Sequence, residues 1–278
     1  ERARLRCRWP EVRRGDEQEI ANWRRGLHRA SPARLCHLHF RSHFFLANPY
    51  NKTPCRVCTA NGHYDVIDLK ALPEDYLSRS NYHSMADRAK HACRVPRVGW
   101  TETRTVVRAQ GADDAGGRGP LRRGEVALPV TEYYRLAVRR GAHPADERSV
   151  RPTILPRGQG HIDRVVSITF RHLNDVAVNA GYWSSLVLDF YRRTTGKKDF
   201  RGDIGDKFPV AQASNPRIAA RALALIALTT HYADRWEPVF DLAFIDPRWS
   251  QPGNPRLPQG FFASLTPTWQ RDCALRSD

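Results

Sequence analysis

The chain has 278 residues, of which 41% are hydrophobic and 27% charged, and it carries a formal net charge of +16. That much apolar material can bury a sizeable core, which excludes wholesale disorder and a peptide-sized module. No stretch approaches the roughly 18 uninterrupted apolar residues of a membrane span; the most apolar run, 218–228, is broken by Arg221. A soluble protein without a membrane partner is expected.

The surplus of positive charge attracts polyanions, so nucleic acid is the first partner to consider. Only six Lys occur, and the rest of the charge is Arg. Arg forks match phosphate and guanine, although a GC-rich genome also raises Arg without any binding role. Residues 1–56 hold 13 Lys and Arg against 5 Asp and Glu, half of the whole surplus in a fifth of the chain. That asymmetry favours a binding role. The chain starts at Glu1 without a Met or a leader-like segment and stops in a polar run, so it reads as a fragment of a longer protein. Six Cys without regular spacing fit a reducing compartment, and the cytoplasm is the expected location.

In chain order, Asp16 can cap a basic helix over 16–30 with Ile20, Trp23 and Leu27 on one face. Residues 31–65 are rich in Cys, His and aromatics, and 108–126 reads as a flexible Gly-rich loop. Val130 to Arg140 fits a helix with Tyr133, Tyr134, Ala137 and Val138 on its apolar side, stopped by Gly141. Ser149 to Leu155 and Arg164 to Phe170 read as strands joined by a turn over 156–160. Tyr182 to Thr195 reads as a helix ended by Gly196. The clearest signal is Pro216 to Trp236, where Asn215 caps, Pro216 opens the first turn, and an apolar stripe runs through Tyr232 and Trp236. From Pro247 onward an irregular tail is expected. The pattern implies an α+β fold, a mixed α/β domain over 71–278 with a long buried helix near its C-terminus. A small basic region over 1–70 precedes it.

Three constellations could carry chemistry. Cys36-His-Leu-His39 and Cys55-Arg-Val-Cys58 are a Cys-x2-His and a Cys-x2-Cys fifteen residues apart. Structural zinc needs two such knuckles, so Cys36, His39, Cys55 and Cys58 are candidate ligands that would staple the basic region. The other reading is that these are ordinary thiols and solvated imidazoles. Asn48-Pro49-Tyr50 resembles the Asn-Pro-Pro-Tyr motif that holds a flipped adenine, but it lacks the second Pro and a Gly-rich cofactor loop before it. Finally, the turn over 156–160 is flanked by Arg148, Arg151, Arg157 and His161, and the end of the 182–195 helix carries Arg192, Lys197 and Lys198. Backbone amides and guanidinium groups converging there suit phosphates and base edges, and cations at a helix C-terminus are also favoured by the dipole alone.

An ordered series of segments then points to a family. It comprises Leu72-Pro-Glu-Asp-Tyr, Arg97-Val-Gly-Trp100, Val130-Thr-Glu-Tyr-Tyr-Arg135, Leu155-Pro-Arg-Gly-Gln-Gly-His-Ile162, Ser185-Leu-Val-Leu-Asp-Phe190, Thr195-Gly-Lys197, Thr229-Thr-His-Tyr-Ala-Asp-Arg-Trp236 and Thr268-Trp-Gln-Arg-Asp-Cys-Ala-Leu-Arg276. Together they resemble the C-terminal, target-recognition half of large adenine-specific DNA methyltransferases of restriction-modification and of phage-defence systems such as DISARM and BREX. The resemblance runs from about Leu72 to Asp278 and does not cover residues 1–70. It implies methyl transfer from S-adenosylmethionine to adenine N6 by a parent enzyme whose catalytic motifs are missing here, so the chain alone should be inactive. It also implies double-stranded DNA as partner, contacted through Arg148, Arg151, Arg157, His161, Arg192, Lys197 and Lys198, with other defence subunits as further partners. In this reading Phe190, Tyr232 and Trp236 are core. The alternatives are a non-catalytic, zinc-stapled nucleic-acid-binding module, or a nuclease- or integrase-like fragment.

Overall fold

A computed structural model describes residues 38–39, 43–58, 60, 62–79, 95–107, 121–142, 145–200, 202–211, 215–251, 253–255 and 257–276. The predicted helix over 16–30 lies outside them. The fold is α+β. Among the described residues the strands are β1 Leu38–His39, β2 Lys52–Pro54, β3 Tyr64–Val66, β4 Glu102–Val107, β5 Leu121–Val126, β6 Arg135–Arg139, β7 Pro152–Leu155, β8 Gly160–His161 and β9 Val165–Thr169. The helices are α1 Leu173–Trp183, α2 Leu186–Thr194, α3 Gly202–Gly205, α4 Pro216–Ile226 and α5 Ala233–Val239.

The central sheet is antiparallel with order β7-β6-β9. Arg135 pairs with Leu155 on one side and Thr169 on the other. Both strand expectations over 149–170 thus hold, but their common neighbour is the segment read as a helix. Val130–Glu132 is only a 3-10 turn, and 135–139 is the middle strand. The reason is burial on both faces: Arg135, Leu136, Ala137 and Val138 are all inaccessible. Alternation between apolar and polar residues, the usual mark of a strand, is therefore absent. Leu136 and Val138 join the main core, whereas Ala137 packs with Phe44, Leu155 and Val165 in a smaller one.

The loop expected over 108–126 is corrected at its C-terminal end. Residues 121–126 form β5, paired antiparallel with β4 from Glu102↔Val126 to Val107↔Leu121. The rest of that segment lies outside the described residues.

The helix expected over 182–195 is two helices, because Ser185 accepts from the Leu188 amide and starts α2 afresh. Gly181 lies where α1 crosses α4; a Cβ there would sit 2.5 Å from Ile218 Cγ2, so only glycine allows the approach. The 216–236 helix likewise divides. Asn215 caps α4 through the Arg217 and Ile218 amides as expected, but α4 ends at Ile226, and a 3-10 turn over Thr230–Tyr232 leads into α5. The irregular tail folds over α4 and α5: Trp236 Nε1 donates to the Thr266 carbonyl, Trp269 Nε1 to the Ala227 carbonyl, and the Leu275 amide to the Ala224 carbonyl.

Residues on either side of the β2–β3 hairpin pack into this core. Tyr50, Leu69 and Leu72 belong to the main cluster, the Ala47 amide donates to the Pro152 carbonyl, and Thr153 Oγ1 donates to the Ala47 carbonyl. No helix among the described residues is long and apolar enough to cross a membrane.

Candidate nucleic-acid interface

The register of the central sheet decides which candidate residues lie together. Leu155 and Thr169 both align with Arg135, so Arg157 and Arg171 each lie two residues beyond the same end of the sheet. Two inter-strand steps of about 4.8 Å put the strands that carry them about 10 Å apart. The opposite end, where β6 finishes at Arg139, gathers Arg140, Arg148, Arg151, Arg164, Arg192, Arg193, Lys197 and Lys198 through contacts among 140–151, 162–164 and 197–200. Four residue steps along β6 separate the two ends by about 14 Å. The predicted contacts thus belong to two places.

At the first end the turn over 156–160 is fixed by Gly158. Its φ of 79° suits glycine, and its amide donates to the Thr131 carbonyl at 2.8 Å. Arg135, fully buried, donates to the Gln159 carbonyl beneath the turn. Arg157 projects with its side chain 48% exposed, and its Nη1 lies 2.9 Å from Asp234 Oδ2. Its Cζ also lies 5.2 Å from the Tyr134 ring centroid, within cation–π range. Tyr134 donates to Asp234, with the His231 carbonyl also 2.7 Å from its hydroxyl oxygen. Burial and the Asp234 carboxylate hold its phenol well above the ordinary tyrosine range. Arg235 lies below, fully buried, 5.3 Å from the same ring, with Nη2 donating to the Leu173 carbonyl; its desolvation lowers the guanidinium to about 10. Arg171 and His172 are exposed nearby. The result is a rigid turn presenting one half-exposed guanidinium whose only described counter-charge is a surface carboxylate.

The other end is different in kind. Asp189 is buried and accepts from the Ser149 amide at 2.6 Å, the Val150 amide at 2.9 Å and the Ser149 hydroxyl at 2.9 Å. Arg193 lies 3.0 Å from it and Arg148 3.7 Å. Burial alone would raise its pKa, but the Val150 amide, Arg193 and Ser149 outweigh that and hold it at about 2. Arg140 pairs with Asp163 and Asp199, and Arg151 with Asp146.

Three predicted contacts are therefore corrected. Arg151 is buried against Asp146 and the Phe45 ring. His161 is buried with Nε2 2.8 Å from Ser167 Oγ. Arg192 is buried, bonding the Lys197 carbonyl and Thr195 Oγ1. All three face inward and hold the fold. Arg148 is largely enclosed by the Ser184 carbonyl and Asp189. Arg157, Lys197 and Lys198 reach solvent. Sequence reasoning missed Tyr134, Asp234 and Arg235, whose signal was the adjacent Asp234-Arg235 pair facing an aromatic doublet.

Asn48-Pro49-Tyr50 does not fit a base or S-adenosylmethionine. The Asn48 carboxamide oxygen accepts from the Tyr50 amide, and the Tyr50 ring is fully buried with its hydroxyl on Thr229. No stacking face is offered. Cys55 and Cys58 lie in the β2–β3 connection, where burial and Asp65 push the Cys55 thiol up. Cys36 lies outside the described residues, His39 is described only as part of β1, and no group of three or more metal-binding side chains occurs among the described residues. Compared with family models, curated proteins and solved structures, the chain matches none.

Proposed function

We propose that this chain is the DNA-binding, target-recognition part of an adenine-N6 DNA methyltransferase of the restriction-modification or phage-defence type. The observation that carries the reading is the Arg157 turn: a rigid strand-end loop, within a chain of net charge +16, that aims a guanidinium outward. Fixed backbone and a half-exposed fork held only by a surface carboxylate and a ring suit base-edge recognition. Exchanging the exposed Asp234 partner for a guanine or a phosphate costs little, because surface ion pairs contribute about 0–1 kcal/mol. Arg171 at the same end, and Lys197 and Lys198 at the far end, supply phosphate contacts. The ordered motif series assigns the chemistry to the parent enzyme, which holds S-adenosylmethionine elsewhere and works with other defence subunits in the cytoplasm. Cys36, His39, Cys55 and Cys58 hold a zinc ion in this reading, checked by metal analysis of the purified chain before and after Cys55→Ser.

The test is selection of bound duplexes from a random-sequence pool at about 0.15 M salt, followed by sequencing. The reading expects a recovered motif of several base pairs. Uniform binding that disappears with added salt would overturn it.

A further inference from the structure

Helix α2 turns an apolar face to solvent. Leu186 is 72% exposed, Val187 71%, Phe190 69% and Tyr191 38%. At about 100° per residue these four and Thr194 share one arc of about 140°, opposite the arc of Leu188, Asp189 and Arg192 that is buried. Single exposed hydrophobics are ordinary, but four on one helix face form a patch, and such patches mark association sites. This also corrects the expectation that Phe190 is core.

The surroundings of the patch state what covers it. Arg193 flanks it on the same helix, and Lys197 and Lys198 stand exposed beyond its C-terminal end. The Tyr191 ring meets Phe208 at 5.7 Å, which brings Asp206 and Lys207 beside it. Glu147 adjoins through the bond from Arg193 to its carbonyl. With Arg193 held on Asp189, the rim sets Lys197, Lys198 and Lys207 against Glu147 and Asp206 and is cationic. A second copy of a +16 chain is repelled from such a rim, and duplex DNA has no use for four apolar side chains at its backbone.

We infer that the exposed face of α2 is the docking site for an acidic amphipathic segment of a protein partner. Leu186, Val187, Phe190 and Tyr191 accept its apolar side, and the basic rim pairs with its carboxylates, as in helix-in-groove recognition. The site shares Lys197 and Lys198 with the proposed phosphate contacts but not Arg157, and the substitutions that test it, at Leu186 and Phe190, leave those lysines in place, so its failure and that of the base-reading assignment are told apart.

The experiment is fluorescence anisotropy of the full chain with a labelled peptide of about 18 residues carrying Leu at i, i+3, i+4 and i+7 and Glu elsewhere. The same peptide with Lys for Glu, and anionic phospholipid vesicles, serve as comparisons. The acidic peptide should bind saturably, at least tenfold more tightly than the Lys peptide, and lose at least tenfold with Phe190→Ser or Leu186→Ser. Both substitutions are at exposed positions, so an unchanged thermal melt shows that the fold is intact. Equal binding of the two peptides, no binding of either, binding unaffected by both substitutions, or vesicle binding abolished by the same substitutions would each overturn the inference. So would self-association through this face in sedimentation.

Discussion

The two ends of the central sheet use their arginines in different ways. At the end where β6 finishes, Asp146, Asp163, Asp189 and Asp199 take up Arg140, Arg148, Arg151 and Arg193, tying α2 and the 145–150 segment to the sheet. At the other end Arg157 stands on a glycine turn with one exposed carboxylate beside it and a tyrosine ring beneath. Charge counted from composition is therefore not charge available to a partner. A guanidinium enclosed with hydrogen-bonded carboxylates holds structure, whereas one on a rigid, solvated turn is free to exchange partners.

Asp189→Ala gives the largest expected effect on this contrast. It strips two backbone amides and two guanidinium groups of their shared acceptor, so stability should fall by about 3–5 kcal/mol in denaturant unfolding. Arg157→Ala, by comparison, should change stability by less than about 1 kcal/mol. Similar losses from both would dissolve the distinction between the two ends.

The same carboxylate gives the next effect a sign. Its folded-state pKa of about 2 lies below the unfolded value, so its contribution is complete above about pH 4 and is lost as pH falls through about 2. The expected loss is about 2 kcal/mol, read as a pH-dependent unfolding midpoint that flattens below pH 4 in Asp189→Asn.

Lys198→Ala should have the smallest effect. The slope of log affinity for DNA against log salt should become shallower by about one, with the preferred sequence unchanged and stability within about 0.5 kcal/mol. A changed sequence preference would move base reading to the wrong end of the sheet.

The residues show which features a sequence can carry. Asn215 and Pro216 specify the start of α4 with local atoms, and the structure uses the same cap. The strands over 152–155 and 165–169 are legible because turn residues separate two β-rich runs. β6 is not, because burial on both faces erases alternation and leaves Tyr134, Ala137 and Val138 at a spacing that also fits a helix. The break at Ser185 carries a local signal in its capping hydroxyl that sequence reasoning missed, whereas the one at Ala227-Leu228 depends on which face each helix must present to its neighbours, which local patterns do not encode. Among the candidate residues, the exposed position of Arg157 was legible from its glycine-containing turn. His161 and Arg192 were not separable from it, since residue type alone does not tell an inward guanidinium or imidazole from an outward one.

The most direct test is the affinity of Arg157→Ala for the selected duplex and for a scrambled duplex, measured side by side at about 0.15 M salt. Arg157 as a base-reading side chain predicts a loss of about 1–3 kcal/mol on the selected sequence and almost none on the scrambled one. An equal loss on both, or no loss on either, would contradict it.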